Sequence, residues 1–219
     1  THEVVASFTA EGQIVVIGAG PIQTPLLLQK SGLGQQSGMV GRNLSVRPGV
    51  SVFGKFPEPV YGWRGALTGI HVDEFWKEKY NWIDMDSGLA APAQLISQGE
   101  LGEGDDHVRF MKEYKYFSAL NVFVHDHGQG YVQWIGDAVT GDKRIEWNLN
   151  RDEFNSMREG LRHAGRVMFA AGAEKVYLPA YNRTAATSVF ELDQAVDKIE
   201  FGTLGLYTMR MIAYNPQGT

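Results

Sequence analysis

The sequence predicts an α+β fold, and three features support this prediction. A β-branched run at residues 13–17 ends in Gly18-Ala19-Gly20 and leads into an apolar segment, which is the pattern of a strand, a tight turn and a helix. Several β-rich segments separated by turn residues follow, and a long amphipathic segment comes after them. Because short turns join the β-rich segments, we expect an antiparallel sheet packed against helices.

The N-terminal part is predicted to contain a strand, a helix and a long loop. We expect a buried strand at residues 13–17 and a helix at residues 21–30, which contains three consecutive leucines and ends at Ser31-Gly32. Residues 34–59 are rich in Gly and Pro. They are predicted to form a loop with one strand at residues 50–53.

The middle of the chain predicts antiparallel strands joined by tight turns. Alternating or β-rich segments lie at residues 66–72, 118–124, 130–135 and 144–149. Turn residues fill 126–129 and 140–142. The acidic stretch at residues 99–106 is expected to be a solvated loop.

A long helix is predicted at residues 152–171. Asn150 can cap its start, Glu153 completes a pair that resembles a capping box, and Gly172 supplies a left-handed end. An apolar stripe runs along one face of it and contains Phe154, Met157, Leu161, Ala164, Met168 and Ala171. A second helix is expected at residues 189–198.

The composition is typical of a soluble globular protein and excludes several kinds of chemistry. The 219 residues are 43% hydrophobic and 21% charged, with a net charge of −5 that argues against a nucleic-acid partner. Because there is no cysteine, disulfides, thiolate catalysis and cysteine-ligated metals are excluded. No apolar stretch approaches the roughly 18 residues of a membrane-spanning helix. The chain begins with Thr1 rather than Met, so we expect a processed or partial polypeptide.

The glycine motif leaves two interpretations open when it is taken alone. Gly18-Ala19-Gly20 could begin a dinucleotide-binding fingerprint, but Gln23 stands where that fingerprint needs a third small residue. Pro21 also removes an N–H that a phosphate site would use. On these grounds a structural turn after a strand is favoured.

The longer string resembles a known family signature. It is a small pair, Thr-Pro, a run of aliphatic residues and Ser-Gly-aliphatic-Gly, which here spans Gly20-Pro21-Ile22-Gln23-Thr24-Pro25-Leu26-Leu27-Leu28-Gln29-Lys30-Ser31-Gly32-Leu33-Gly34. Val40-Gly41-Arg42-Asn43-Leu44 follows. Both motifs resemble those of the glucose–methanol–choline (GMC) oxidoreductases, with a weaker similarity to their long-chain alcohol oxidase branch.

The resemblance implies an FAD cofactor and a division of the chain. Residues 1–49 would be part of an FAD-binding, Rossmann-like α/β domain, and Ala19 and Gly20 would contact the flavin dinucleotide. Residues 50–200 would form an antiparallel-sheet substrate domain, and residues 201–219 would return toward the flavin. A second polypeptide or a clipped segment would supply the rest of the nucleotide-binding part.

The C-terminal end departs from the family pattern at one position. A strand is expected at residues 204–213, and the following residues resemble the family's His-x-x-Gly-Thr segment. Asn215 stands where the catalytic His is expected, and an amide has no useful basicity. Asn215 could still donate a hydrogen bond to a hydroxyl or alkoxide, or it could only cap a turn before Pro216. Tyr214 is a candidate for substrate contact.

The resemblance therefore implies an oxidoreductase that passes hydride from an alcohol or sugar to flavin N5. Two alternatives stay open because of Asn215: a flavoprotein with non-oxidising, lyase-like chemistry, and a non-catalytic subunit of a flavoprotein assembly.

Two other groups of residues are candidates for function. His125 and His127 could bind a metal, but neighbouring glycines favour a solvated turn, so no metal site is predicted. The five tryptophans, Trp63, Trp76, Trp82, Trp134 and Trp147, are more typical of sheet packing than of a substrate platform.

Overall fold

The computed structural model describes residues 6–66, 68–76, 83–88, 104–137, 140–179, 185–201 and 211–217. The helices are α1 (Gly20–Lys30), α2 (Asp105–Glu113), α3 (Arg151–Ala170) and α4 (Val189–Asp197). The strands are β1 (Arg42–Lys55), β2 (His71–Val72), β3 (Asp84–Gly88), β4 (Phe117–Phe123), β5 (Gly130–Ile135), β6 (Asp142–Glu146), β7 (Lys175–Tyr177), β8 (Ala185–Ala186) and β9 (Ile212–Gln217).

An antiparallel sheet with helices packed on it confirms the predicted α+β class. Its main strand order is β2-β3-β4-β1-β5-β6, while β7 and β9 also pair with β1 and β8 pairs with β7. Within the described part of the chain every strand pair is antiparallel. The attachment to a Rossmann-like domain and the two predicted boundaries, after residues 49 and 200, stay predictions.

The central strand β1 corrects the largest error of the sequence prediction. Within residues 34–59, predicted as a loop with one strand at residues 50–53, the strand is longer than predicted and spans the 14 residues of Arg42–Lys55. Its glycines are needed for close packing: a Cβ at Gly49 would lie 2.5 Å from the ring of Phe123, and one at Gly54 would lie 2.8 Å from the sulfur of Met168. Glycine in this strand therefore marks the close approach of neighbours rather than a loop.

Helix α3 covers one face of the sheet and forms the main core with it. The buried residues of this core include Val50, Val52, Met85, Val122, Phe154, Met157, Leu161, Val176, Leu178 and Leu192. A Cβ at Gly160 would lie 2.3 Å from Cγ1 of Val122, so this glycine brings the helix close to the sheet. The predicted stripe of α3 is buried through Met168, whereas Ala171 is exposed beyond the end of the helix.

The other element predictions have mixed outcomes. Helices α1, α3 and α4 and strands β4 and β5 are confirmed. The strand predicted at residues 66–72 is only His71–Val72, and the one predicted at 144–149 is Asp142–Glu146. Part of the predicted acidic loop is helical, because α2 begins at Asp105. Residues 99–103 of that loop and most of the strand predicted at 204–213 lie outside the described residues.

The predicted buried strand at residues 13–17 is wrong. These residues belong to no strand, and Ile14, Val15 and Val16 are 85%, 78% and 87% exposed. A β-branched run needs neighbouring strands for its backbone hydrogen bonds and its side chains. Within the described ranges, no strand lies beside this run.

The described residues of the chain contain no helix that is long and apolar enough to cross a membrane.

Candidate functional site

The glycine turn lies at the exposed start of helix α1. Ala19 is the N-cap residue, with φ −85°, and Gly20 begins the helix with φ +82°. Both residues are exposed, and no side chain caps the helix. A Cβ built at Gly18 or Gly20 meets no atom within 4 Å. The turn therefore presents bare backbone to open space, and a flat ligand could approach it closely.

The other end of α1 is fixed by the side chain of Gln29. Its Nε2 donates to the carbonyl oxygens of Val40 and Val132 at 3.1 and 3.0 Å, and its Oε1 accepts from the backbone N–H of Trp134 at 2.6 Å. Leu26 is buried in a small cluster with Leu44 and Val132. These contacts anchor α1 to β1 and β5 and so position the glycine turn.

Gly41 has a structural reason to be glycine. Its φ is +84°, and a Cβ there would lie 2.0 Å from the carbonyl oxygen of Val132 and 2.5 Å from Nε2 of Gln29. The second motif that resembles the family therefore contains the residue on which the Gln29 contacts depend.

An open cavity of about 720 Å³ lies beside this junction. It is lined by Gln29, Gly32, Gln35, Gly38, Val40, Gly41, Arg42, Tyr131, Val132, Gln133, Trp134 and Gly136. At its edge, a hydrogen bond between Tyr131 and Glu146 raises the pKa of the phenol and lowers the pKa of the carboxyl.

Strand β9 contains the two predicted C-terminal site residues. Tyr214 pairs with Arg47 of β1, and Gln217 pairs with Ser45. The register shifts between these pairs, so two residues of β9, Asn215 and Pro216, stand opposite one residue of β1. This is a β-bulge, which fits Pro216 because proline has no N–H for the ladder. The side chains of Tyr214 and Asn215 lie outside the described part of the structure.

The structure places the elements that contain the N-terminal and the C-terminal site residues beside the same strand, β1. Helix α1 contacts β9, and both elements border β1. The elements that contain Ala19 and Gly20 on one side and Tyr214 and Asn215 on the other are therefore neighbours. The roles of these four residues stay predictions.

Asp126 holds β1 opposite the bulge and was missed by the sequence analysis. The residue is 3% exposed, and its carboxylate accepts from the hydroxyl of Ser45 and from the backbone N–H of Val46 at 2.8 Å. It also accepts from the N–H of Gly128 at 2.9 Å and from Nε1 of Trp147 at 2.5 Å. The only available signal was an Asp at the start of a predicted turn.

Of the two histidines that flank Asp126, His127 is hydrogen-bonded to the capping box of a helix. His127 donates its backbone N–H to Oε1 of Glu153 at 3.2 Å, and its Nδ1 lies 3.1 Å from the same oxygen. Glu153 is 4% exposed and also forms the capping box with Asn150. His125 and His127 are both exposed. Among the described residues, no group of three or more metal-ligating side chains is found.

A second cleft, of about 370 Å³, opens at the end of the sheet near Arg47. It is lined by Ser45, Val46, Arg47, His71, Trp76, Asp84, Phe123, Val124, His125 and Asp126. Inside it the carboxylate of Asp84 forms an ion pair with Arg47 and lies against Nε2 of His71. The sequence analysis did not predict this group, because its members come from three different strands.

A chain of buried polar side chains continues along the same strands. Ser51 donates to Oδ1 of Asn121 at 2.6 Å, and Nδ2 of Asn121 donates to Oδ1 of Asp86 at 3.0 Å. These residues occupy matching register positions on β1, β4 and β3. Buried polar groups that satisfy each other in this way fix the register of the strands.

Comparisons with known proteins agree with the sequence motifs. The family model described as GMC oxidoreductase matches residues 1–49. The chain is 29% identical over 205 residues to an uncharacterized GMC-type oxidoreductase of Mycobacterium tuberculosis, which covers 94% of this chain and 30% of that protein. It is also 28% identical over 175 residues to a long-chain-alcohol oxidase of Arabidopsis thaliana, covering 77% of this chain and 22% of the relative.

The chain is similar to GMC oxidoreductases, in residues 1–49 by the family model and over 77% to 94% of its length by these relatives. It spans less than a third of the length of these two relatives. A GMC-type oxidoreductase of Sinorhizobium fredii is 24% identical over 209 residues, covering 94% of this chain and 39% of that protein. Together the matches support an oxidoreductase, and proteins of this family generally bind FAD.

Proposed function

We propose that the protein containing this chain is an FAD-dependent oxidoreductase that oxidises an alcohol or sugar hydroxyl. When bound, FAD would supply the hydride acceptor, flavin N5. The observation that carries the proposal is the bare turn at Gly18-Ala19-Gly20, where added Cβ atoms at both glycines meet nothing within 4 Å. Its place within the family motif supports an approach of the dinucleotide to this backbone.

In this proposal helix α1 positions the cofactor contact and β9 approaches it from the side. Ala19 and Gly20 would lie against the dinucleotide, and the Gln29 hydrogen bonds would hold the turn in place. Tyr214 would contact the substrate. Asn215 would donate a hydrogen bond to the substrate oxygen from the bulge in β9.

The rest of the FAD site would come from another polypeptide or another segment. The exposed run Ile14, Val15 and Val16 supports this part of the proposal, because a β-branched run of this kind is suited to a sheet. A strand added beside residues 13–17 would bury these side chains and use their backbone hydrogen-bonding groups.

A second candidate function is favoured by one residue. Asn215 is predicted to stand at the position of the family's base, and an amide cannot accept the hydroxyl proton as an imidazole does. The protein would then be a flavoprotein with non-oxidising, lyase-like chemistry, or a non-catalytic subunit of a flavoprotein assembly.

The cofactor contact can be tested on the intact protein with Ala19→Leu. Ala19 is exposed and has φ −85°, so leucine should fold normally but obstruct the cofactor. We expect flavin absorbance to fall at least about tenfold, since about 1.4 kcal/mol of lost binding suffices. Ala170→Leu, at an exposed position near the end of α3, is the matched control. Equal flavin content in the two variants would contradict the contact.

The chemistry can be tested by anaerobic bleaching of the flavin. Bleaching by an alcohol or sugar supports oxidation, whereas a yellow protein that none of them bleaches favours the second candidate. Asn215→His should raise the reduction rate by about 100-fold if the residue occupies the base position. An unchanged rate would place the base elsewhere, and an intact protein without flavin would overturn both candidates.

A further inference from the structure

We infer that Asp126 is a positioning residue of the reaction site. Its buried carboxylate fixes the part of β1 that stands opposite the bulge in β9, and thereby the backbone of Tyr214 and Asn215. The inference rests on the proposed function, because it concerns how the same site is held in place. It assigns Asp126 no contact with the substrate, the cofactor or the reacting atoms.

The Asp126 carboxylate accepts four hydrogen bonds, two at each oxygen. Oδ1 accepts from the hydroxyl of Ser45 and from the N–H of Gly128 at 2.9 Å. Oδ2 accepts from the N–H of Val46 at 2.8 Å and from Nε1 of Trp147 at 2.5 Å. An ionised carboxylate has about four such acceptor positions. Because a buried charge is costly unless it is hydrogen-bonded, these donors are held at defined places around it.

The Val46 contact lies in a gap of the sheet. Strand β4 pairs with β1 from Gly49 onward, and β5 pairs with it only at Arg42 and Leu44. Between Leu44 and Gly49, β1 therefore pairs with neither of them. The carboxylate of Asp126 takes the N–H of Val46 there, where a neighbouring strand would otherwise offer a main-chain carbonyl.

Val46 is also the residue of β1 that stands opposite the bulge. Its two neighbours in β1 pair with Tyr214 and Gln217, and the register shifts between these pairs. In a bulge two residues oppose one, so the place of the extra residue depends on where the single residue is held. Asp126 bonds both Val46 and Ser45 and therefore determines where the bulge of β9 forms.

Trp147 connects this arrangement to the main core. Its Nε1 donates to the same carboxylate oxygen that accepts from Val46, and the residue packs against the core formed by α3 and the sheet. A change at Asp126 would therefore release this part of β1 from the core as well as from the turn that follows β4. The bulge and Asn215 would move with it.

The proposed chemistry is sensitive to such a movement. A donor that stabilises developing charge has to lie about 2.7–3.1 Å from the oxygen in the transition state. A misplacement of about 1 Å can lower a rate about 100-fold. Because the Asn215 hydrogen bond is proposed to act on the substrate oxygen during hydride transfer, a shift of β9 should lower the limiting rate more than the affinity.

The first test is the anaerobic reduction of the flavin in the intact, flavin-loaded protein. D-glucose, benzyl alcohol and hexanol are compared by stopped flow, and the one that reduces the unmodified protein fastest is used for the variants. Asp126→Asn cannot accept all four hydrogen bonds, because one oxygen becomes an NH₂ group. We expect its limiting reduction rate to fall at least about tenfold, with the apparent Kd changed less than about twofold. Its flavin content should be unchanged.

The second test measures the position of β9 without using the reaction. Asp126→Asn should accelerate hydrogen–deuterium exchange severalfold in the backbone of β9, residues 212–217. Val196→Ala is the matched control, because it removes buried methyl groups on α4, outside the Asp126 contacts. It should lower general stability but leave the reduction rate and the exchange of β9 unchanged. If Asp126→Asn fails to fold, Ser45→Ala removes one of the four bonds and should lower the limiting rate severalfold.

Several outcomes would overturn the inference. An unchanged limiting rate in Asp126→Asn, or a fall matched by Val196→Ala, would make Asp126 a residue of general stability only. A fall explained by lost flavin would do the same. If none of the three alcohols bleaches the unmodified protein, the proposed oxidation fails, and the exchange experiment decides the inference. Faster exchange of β9 in Asp126→Asn alone would support the positioning role, whereas equal exchange in the two variants would overturn it.

Discussion

The segment at residues 6–41 and the sheet with its helices differ in how far their large apolar side chains are buried. In the first region the large apolar side chains of Phe8, Ile14, Val15 and Val16 are at least 78% exposed. In the second region Val50, Val122, Phe154 and Leu161 are fully buried. The second region completes its own core, whereas these four residues of the first region point outward. This contrast supports the proposal that a further segment and a cofactor cover the first region.

The glycines of the two regions also differ in how closely their neighbours approach. Gly49 and Gly160 lie in the sheet and in α3, where an added Cβ would overlap Phe123 or Val122. Gly18 and Gly20 lie where an added Cβ meets nothing. In the core, glycine is needed because neighbours leave no room. At the turn, the open space is what the proposed cofactor contact requires.

The largest expected effect comes from truncating matched leucines in the two regions. Leu161 is fully buried beneath the sheet, so Leu161→Ala should lower the free energy of unfolding by about 2–5 kcal/mol. Leu27 in α1 is 45% exposed, so Leu27→Ala should cost less than about 1 kcal/mol. Urea unfolding of the intact protein measures both. Equal losses would show that residues 6–41 are as well packed as the core.

A smaller effect is expected at the boundary between the regions. Gly41→Ala forces a Cβ onto the carbonyl of Val132 at φ +84°, so we expect a loss of about 2 kcal/mol or more. Gly18→Ala should change stability by less than about 0.5 kcal/mol, because the site is open. Thermal unfolding of both variants makes the comparison. A stable Gly41→Ala protein would mean that Gln29 does not hold α1 as described.

The third prediction compares the stability lost when a partly buried helix cap is removed with the stability lost when an exposed cap is removed. Asn150 accepts from the N–H of Glu153 at 2.9 Å, and the buried carboxylate of Glu153 accepts from Asn150 and His127. Asn150→Ala should therefore cost about 1–2 kcal/mol. Ser188 caps α4 through one exposed bond of 3.2 Å to Glu191, so Ser188→Ala should cost about 0.5 kcal/mol. The reverse order in chemical denaturation would contradict the role of the capping box.

The smallest effect concerns pH and the exposed pairs between α3 and α4. Arg162 donates to Asp197 at 2.5 Å, and this bond holds the pKa of the Asp197 carboxyl below its usual value of 3.8. Because the folded pKa is depressed, the contribution is complete above about pH 4 and is lost as the pH falls through the folded pKa. Asp197→Asn should therefore lose less stability than the unmodified protein between about pH 5 and about pH 2.5 in urea titrations. Equal losses would show that another carboxyl accounts for the acid sensitivity.

Local sequence patterns were sufficient for the helices and for part of the sheet. Helix α3 follows from its stripe and its Asn150–Glu153 box, because both depend on residues one turn apart. Strands β4 and β5 follow from β-rich runs with turns after them. The pattern failed at β1, because Pro48 and Gly49 are typical of loops. The reason for Gly49 is its close contact with Phe123, a residue that is distant in the sequence.

The sequence by itself determined the resemblance to the family motif and the position of Ala19 and Gly20 before a helix, and it led to the prediction that Asn215 stands where the family's base is expected. These features depend on neighbouring residues, so they can be found without a structure. Only the tertiary structure decided that residues 13–17 are exposed, that Asp126 holds β1, and that Arg47, His71 and Asp84 share a cleft. Those facts depend on strand pairing between distant segments, and no local pattern records which strands become neighbours.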